Sequence, residues 1–186
     1  MKTLKSILTI CGIILLSNSL IAQGLTNETV KAHLVVNWER AKVYTKEYLD
    51  AMPEDGINFK PTAEIRSFAE QMLHMSQGTI GLISSGTGAS PILQGKVLEK
   101  MDEYKNKAAL SQVVLQCYDF AIDAIKNMDA SKMDSIVKRG NFEVTQYGWL
   151  NKAFKHQTHH RGQSTIYLRL KGIKPPNERL FWARPL

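Results

Sequence analysis

Four long stretches with helical apolar spacing make up most of the sequence. They are predicted to span residues 27–51, 67–83, 96–127 and 145–171, and the third shows an interruption near Asn106. Each stretch has one apolar face, which a helix buries by packing against other helices. No stretch of the sequence shows the sustained alternation and hairpin turns that are typical of a sheet protein. The sequence therefore predicts an all-α fold, a four-helix bundle.

Residues that cap or break helices mark the ends of these stretches. Ser67 and Glu70 form a capping-box pattern, in which each side chain accepts a hydrogen bond from a free backbone N–H of the first turn. Gly172 follows the fourth stretch as a C-cap, and two prolines shortly after it prevent the helix from continuing. Residues 142–145, Phe-Glu-Val-Thr, are the best short candidate for a strand, and the pattern there is weak.

Residues 1–22 have the pattern of a secretory signal peptide. Two lysines form a positive region, residues 7–16 are almost wholly apolar, and small and polar residues follow. Cleavage after Ala22 or Gln23 is expected, which would place the mature protein in the periplasm or outside the cell. The uncharged run is about 20 residues long, so its retention as a membrane anchor stays open as an alternative. After cleavage, no stable association with the membrane is expected.

Residues 23–186 are long enough for one domain and too short for two comfortable ones. Hydrophobic residues are 44% of the chain and charged residues 22%, which is typical of a folded globular protein. The net charge is +7, but the basic residues are scattered, whereas a nucleic-acid surface needs them clustered. Binding to nucleic acid is therefore not expected. Cys117, the single cysteine left after signal cleavage, is predicted to be a small buried hydrophobic residue.

Three of the five histidines fall within residues 156–160. Successive side chains on a helix are rotated by about 100°, so His156 and His160 lie one turn apart on the same face. Gln163 follows on the same stripe, where it could orient a bound ligand or support a histidine, while His159 lies on the flank. Two histidines at this spacing supply half of a metal site. The alternative for the pair is a solvated polar face of the helix.

The third ligand has to come from another helix, because a catalytic zinc site usually has three protein ligands and one open position. His74, in the middle of an apolar helical stretch, is the natural candidate. Taken alone, a histidine in such a place is more often a hydrogen-bonded core residue than a ligand. His33 is not expected to bind metal, and Glu70, one turn before His74, is a weak candidate for a general base.

The run from His156 to Gln163, His-Gln-Thr-His-His-Arg-Gly-Gln, and the run from Ser67 to His74 together resemble the DinB/YfiT-like superfamily. The resemblance covers roughly residues 27–176 and is most specific in the last helix. It implies a four-helix bundle and a divalent metal ion, zinc or nickel, held by His74, His156 and His160. Known activities in this superfamily include thiol-dependent transfer and isomerisation.

The resemblance and the signal pattern together favour an exported protein that acts on a small molecule as a metal-dependent hydrolase or transferase. A thiol-dependent role is less expected of an exported member, because low-molecular-weight thiols are chiefly cytosolic. A non-catalytic metal-binding or ligand-binding protein of the cell envelope is the alternative, and a helical bundle with unligated histidines is a third. Homodimerisation along an exposed helix face is plausible for a bundle.

Overall fold

Four helices form the structure, which is a computed structural model that describes residues 25–178. Their bounds are α1 Asn27–Ala51, α2 Phe68–Thr87, α3 Lys107–Asn127 and α4 Gln146–Leu170. The predicted all-α four-helix bundle is confirmed. The predicted signal peptide, residues 1–22, lies outside the described residues. Within residues 25–178, no helix is both long and apolar enough to cross a membrane.

Each helix begins at a residue whose side chain caps it. Thr26, Ser67, Asn106 and Thr145 each accept a hydrogen bond from the backbone N–H three residues further on. In α2 the predicted capping box is complete, because the Glu70 carboxylate also accepts a hydrogen bond from the Ser67 N–H. These local bonds satisfy donors that a helix start leaves free, and they fix where α2 begins.

Helix α2 is the centre of the packing, since it contacts α4 most extensively and α3 next. Helix α1 packs mainly on α3 and more thinly on α4. The apolar residues between the helices are fully buried, and they include Phe68, Leu73, Ile83, Val114, Ile125, Leu150 and Leu168. Cys117 is buried among them as predicted, and burial raises the pKa of its thiol to about 12.

A buried hydrogen-bond network links α1, α3 and α4 inside this core. The Tyr118 hydroxyl lies 2.7 Å from the Thr45 hydroxyl and donates to the Gln157 side-chain oxygen at 3.0 Å. Arg161 donates to the same oxygen at 2.9 Å, and its guanidinium lies over the Tyr44 ring. Gln157 and Arg161 both lie on α4, so the network holds one face of α4 towards α1 and α3. The rotation of α4 about its axis, and thus the face that it turns towards α2, is thereby fixed.

The third helix begins at Lys107, so the predicted interruption near Asn106 is confirmed and the predicted start at residue 96 is wrong. Asn106 adopts an extended conformation and caps α3 with its side chain, which ends any helix arriving from the N-terminal side. The residues before it form two short 3-10 turns, Leu98–Lys100 and Asp102–Tyr104. Leu98 is fully buried, and the first of these turns is thereby held against the bundle.

A β-hairpin lies between α3 and α4, where the sequence predicts at most a weak strand. Strands β1 (Ile136–Arg139) and β2 (Phe142–Thr145) pair antiparallel, with Ile136 opposite Thr145. Gly140 turns the chain with φ of +58°, a conformation that glycine adopts without strain. The strand at 142–145 is therefore confirmed, whereas its partner is not predicted because residues 136–139 show no apolar alternation.

Replacing Ser67 by alanine should lower the free energy of unfolding by about 1 kcal/mol, since the first turn of α2 loses its side-chain acceptor. Chemical denaturation monitored by circular dichroism measures this change. The matched control is Ser90→Ala, in the exposed loop after the same helix, which should change the stability by less than about 0.5 kcal/mol. Equal midpoints for the two variants would contradict the role given to the cap.

Candidate metal centre

Three histidines from two helices meet between α2 and α4. His74 lies on α2, and His156 and His160 lie one turn apart on α4. Their ring centroids are 5.6 Å (His74 to His156), 4.6 Å (His74 to His160) and 4.4 Å (His156 to His160) apart. Each ring offers one nitrogen, and these three nitrogens lie within 4.8 Å of one another. The structure thus brings together the three residues that the sequence and its family resemblance single out.

A glycine allows the two helices to approach closely at this point. A Cβ atom built on Gly78 would lie 2.7 Å from Nε2 and 2.9 Å from Nδ1 of His156, well inside van der Waals contact. The His156 ring therefore lies against the backbone of α2, one turn beyond His74. Gly78 is not predicted from the sequence, although an isolated glycine inside an apolar helix often marks a close approach.

His74 has a carboxylate partner on the side away from the cluster. Its Nδ1 lies 2.7 Å from one oxygen of Glu99, and Arg66 Nε donates to the other oxygen at 2.6 Å. Burial acts to raise the pKa of Glu99, but the hydrogen bonds from Arg66 and His74 outweigh it and hold that pKa below its usual range. With Nδ1 occupied by the carboxylate, Nε2 of His74 is the nitrogen available to a metal.

His160 has an amide partner instead. Its Nδ1 lies 2.9 Å from the Gln163 side-chain oxygen, the position that the sequence predicts for a residue supporting the site. The side-chain amide nitrogen of Gln71, on α2, donates to the Gln163 oxygen and lies 2.9 Å from His160 Nδ1. When Nδ1–H donates to Gln163, Nε2 of His160 is free to bind a metal. Gln71 is not predicted from the sequence, because only the packing of α2 on α4 brings it here.

The environment keeps His156 and His160 uncharged. Burial, followed by the neighbouring imidazoles, lowers the pKa of His156 to about 4. Burial and the neighbouring His74 likewise lower the pKa of His160 to about 4. Neutral imidazole is the form that binds a metal, so both rings are in their ligand form at neutral pH.

The residues present fit a divalent metal ion. Three imidazole nitrogens from two rigid helices match the donor set of three-histidine zinc sites. Nδ1 of His156 is buried and has no hydrogen-bond partner among the described residues, so a ring that is otherwise poorly satisfied has a partner to gain. The cluster is thus compatible with metal binding, and imidazole ligands suit zinc, nickel, copper and iron alike.

The other candidates from the sequence lie outside the cluster. His33 is exposed on α1, and His159 is exposed with its ring centroid 5.0 Å from that of His160. Glu70 is occupied by the capping box and by an ion pair with Lys60 at 3.0 Å, which argues against a role as a general base.

Two clefts reach the histidine cluster from different sides. The first has a volume of about 660 Å³ and is lined by Arg66, Gln71, Glu99, His160 and Gln163, with apolar residues at its rim. The second has a volume of about 620 Å³ and lies between α2 and the hairpin, where His74, Leu82, Phe142 and Trp149 line it. Small molecules therefore have room beside the histidines.

The fold and the site together define a class, that of helical bundles with a three-histidine cluster between two helices. The model of the DinB family matches residues 25–183, which is most of the chain. The protein belongs to the DinB family. No curated protein matches the sequence.

Several solved structures have a similar fold. A DinB-like protein of Bacillus cereus ATCC 10987 has a TM-score of 0.67 at 18% identity, with 78% of this chain and 95% of that chain covered. A DinB-like protein of Bacillus subtilis has a TM-score of 0.61 at 18% identity, covering 80% and 96%. A conserved protein of Enterococcus faecalis has a TM-score of 0.57 at 17% identity, covering 76% and 96%. At these identities the likeness shows the fold alone.

Replacing Gly78 by alanine should weaken metal binding, because the new methyl group displaces the His156 ring. The same change in a helix otherwise stabilises by about 1 kcal/mol, so the variant should stay folded. Zinc affinity, measured by competition with a chromophoric chelator, should fall at least tenfold, as a misplaced ligand loses its coordination geometry (roughly the 10–100-fold range of disturbed supporting residues).

The matched control for this prediction is Gly162→Ala on α4. A Cβ atom built on Gly162 has no neighbour within 4 Å, so this variant should keep the affinity of the wild type. Equal affinities for the two variants would show that the close approach at Gly78 is not needed for binding.

Proposed function

We propose that the protein is a metal-dependent enzyme, a hydrolase or transferase that acts on a small molecule. The observation that carries this proposal is the cluster of three imidazoles beside a cleft of about 660 Å³. His74, His156 and His160 would hold one divalent ion, zinc or nickel. Three uncharged ligands leave the full charge of the ion in place and leave a coordination position for water or substrate.

A bound divalent ion supplies Lewis-acid chemistry: it lowers the pKa of bound water or thiol and polarises a substrate oxygen. The residues of the chain then have separate tasks. Gln71 and Gln163 place amide groups in the first cleft, where they can hydrogen-bond a polar substrate. Arg66 lines the same cleft as an ion pair with Glu99, while the apolar residues Ile65 and Ile166 at its rim would exclude water from a bound substrate.

Elemental analysis and histidine variants test the metal site. Purified wild-type protein loaded with zinc or nickel should hold about one ion per chain, as expected for a three-ligand site. His160→Ala should lose most of this metal, and His159→Ala, an exposed neighbour on the same helix, should retain it. A wild-type chain that takes up no metal would contradict the proposal.

Activity assays test the enzymatic part of the proposal. Ester and amide hydrolysis and transfer to a thiol should be measured with metal-loaded wild type, His159→Ala and His160→Ala. Turnover is expected in the first two and not in the third. Stoichiometric metal, a large loss of melting temperature on chelation and equal background rates in all three would favour the alternative, a non-catalytic metal-binding protein of the envelope.

Export of the protein is part of the same proposal, and it is supported by the signal-peptide pattern of residues 1–22. Intact-mass measurement of protein recovered from fractionated cells checks it. A mature chain starting at Gln23 or Gly24 in the periplasmic or extracellular fraction is the expected result. A full-length chain in the membrane fraction would instead favour a retained anchor.

A further inference from the structure

We propose that Glu99 is a positioning residue that holds His74 in the orientation and tautomer needed to bind the metal through Nε2. This inference rests on the proposed function, because it assigns a role towards the same ion. Glu99 lies on neither of the two helices that carry the histidines. It comes from the short turn Leu98–Lys100, which precedes α3 and packs against α2.

The turn is fixed to α2 independently of Glu99. The Leu98 side chain is fully buried in the core. The Leu98 backbone N–H donates to the side-chain oxygen of Gln77 at 2.9 Å, and Gln77 follows His74 on α2 by three residues. The backbone next to Glu99 is therefore held one helical turn from His74, which leaves the carboxylate within reach of that ring.

The carboxylate itself has both oxygens engaged. One oxygen lies 2.7 Å from His74 Nδ1, and the other accepts from Arg66 Nε at 2.6 Å. Arg66 is held in turn by α4, because its carbonyl oxygen accepts a hydrogen bond from the Tyr167 hydroxyl at 2.8 Å. Arg66 and His74 thus hold the carboxylate from two sides, and this fixes the plane of the His74 ring.

The chemistry of the contact favours metal binding. A carboxylate that accepts from Nδ1–H keeps the lone pair of the ring on Nε2 and makes that nitrogen a stronger donor. The partner of His160 is the neutral amide of Gln163, so among these two histidines it is His74, on α2, that has a charged partner. A negative charge one bond beyond the ligand also stabilises a divalent cation through Coulomb attraction in this partly buried place.

Zinc affinities of Glu99→Ala and Glu99→Gln, measured by competition with a chromophoric chelator, test the proposal. The alanine variant should bind roughly 10–100-fold more weakly than wild type. The glutamine variant should recover part of the loss, because its amide oxygen still accepts from Nδ1–H without the charge. The matched control is Glu103→Ala, an exposed carboxylate four residues away that pairs with Lys96 and should leave the affinity unchanged.

Two further measurements separate positioning from structural support. Melting temperatures of the metal-free proteins should agree within a few degrees, since the buried Leu98 and Gln77 hold the turn without Glu99. In metal-free wild type, long-range ¹⁵N–¹H correlation should show His74 protonated on Nδ1, and the Glu99→Ala variant should shift the proton towards Nε2.

Each outcome has a separate meaning. A wild-type chain that binds neither zinc nor nickel overturns the proposed function and this inference with it. Tight binding by wild type and equally tight binding by Glu99→Ala overturns this inference alone. Weakened zinc binding by Glu99→Ala also overturns it if this variant, without metal, melts well below metal-free wild type and if Glu99→Gln recovers none of the affinity. Glu99 would then act only in folding.

Discussion

The close packing of α2 against α4 is the contact on which the candidate site depends. It brings His74 to two histidines that lie more than eighty positions later in the chain. The approach is close enough that the His156 ring rests on the α2 backbone at Gly78. The same contact places Gln71 beside His160. Any change that separates these two helices would disperse the three histidines and their hydrogen-bond partners together, so the packing and the candidate site are two consequences of one interface.

This interface creates an electrostatic requirement as well as a geometry. Burial lowers the pKa of His156 and of His160 to about 4. Both rings therefore stay neutral near pH 6, where an imidazole exposed to water is largely protonated. Neutral rings in contact are ready ligands, yet the buried Nδ1 of His156 lacks a partner among the described residues. A bound metal ion would give the cluster a partner for its nitrogen atoms, and its binding would then stabilise the fold by mass action.

Segments outside the four helices complete the site. The turn Leu98–Lys100 brings Glu99 to His74, and the β-hairpin supplies Phe142 to the wall of the second cleft. Arg139 anchors the hairpin to α2 through the Gly81 carbonyl and the Ser85 hydroxyl. The helices therefore hold the three histidines on a rigid frame, while the connecting segments determine what surrounds those histidines and what can reach them.

The sequence by itself determined the local features of this protein. Helical apolar spacing, the capping box at Ser67 and the shared face of His156 and His160 all depend on residues within one or two turns of each other. The sequence could propose His74 as the third ligand, with the family resemblance as support. It could not show that His74 lies beside His156 and His160. The positions of Glu99, Gln71 and Gly78 beside the histidines were decided by tertiary structure alone. Their roles arise from contacts between distant segments, and such contacts follow from side-chain packing, which leaves no periodic pattern in the sequence.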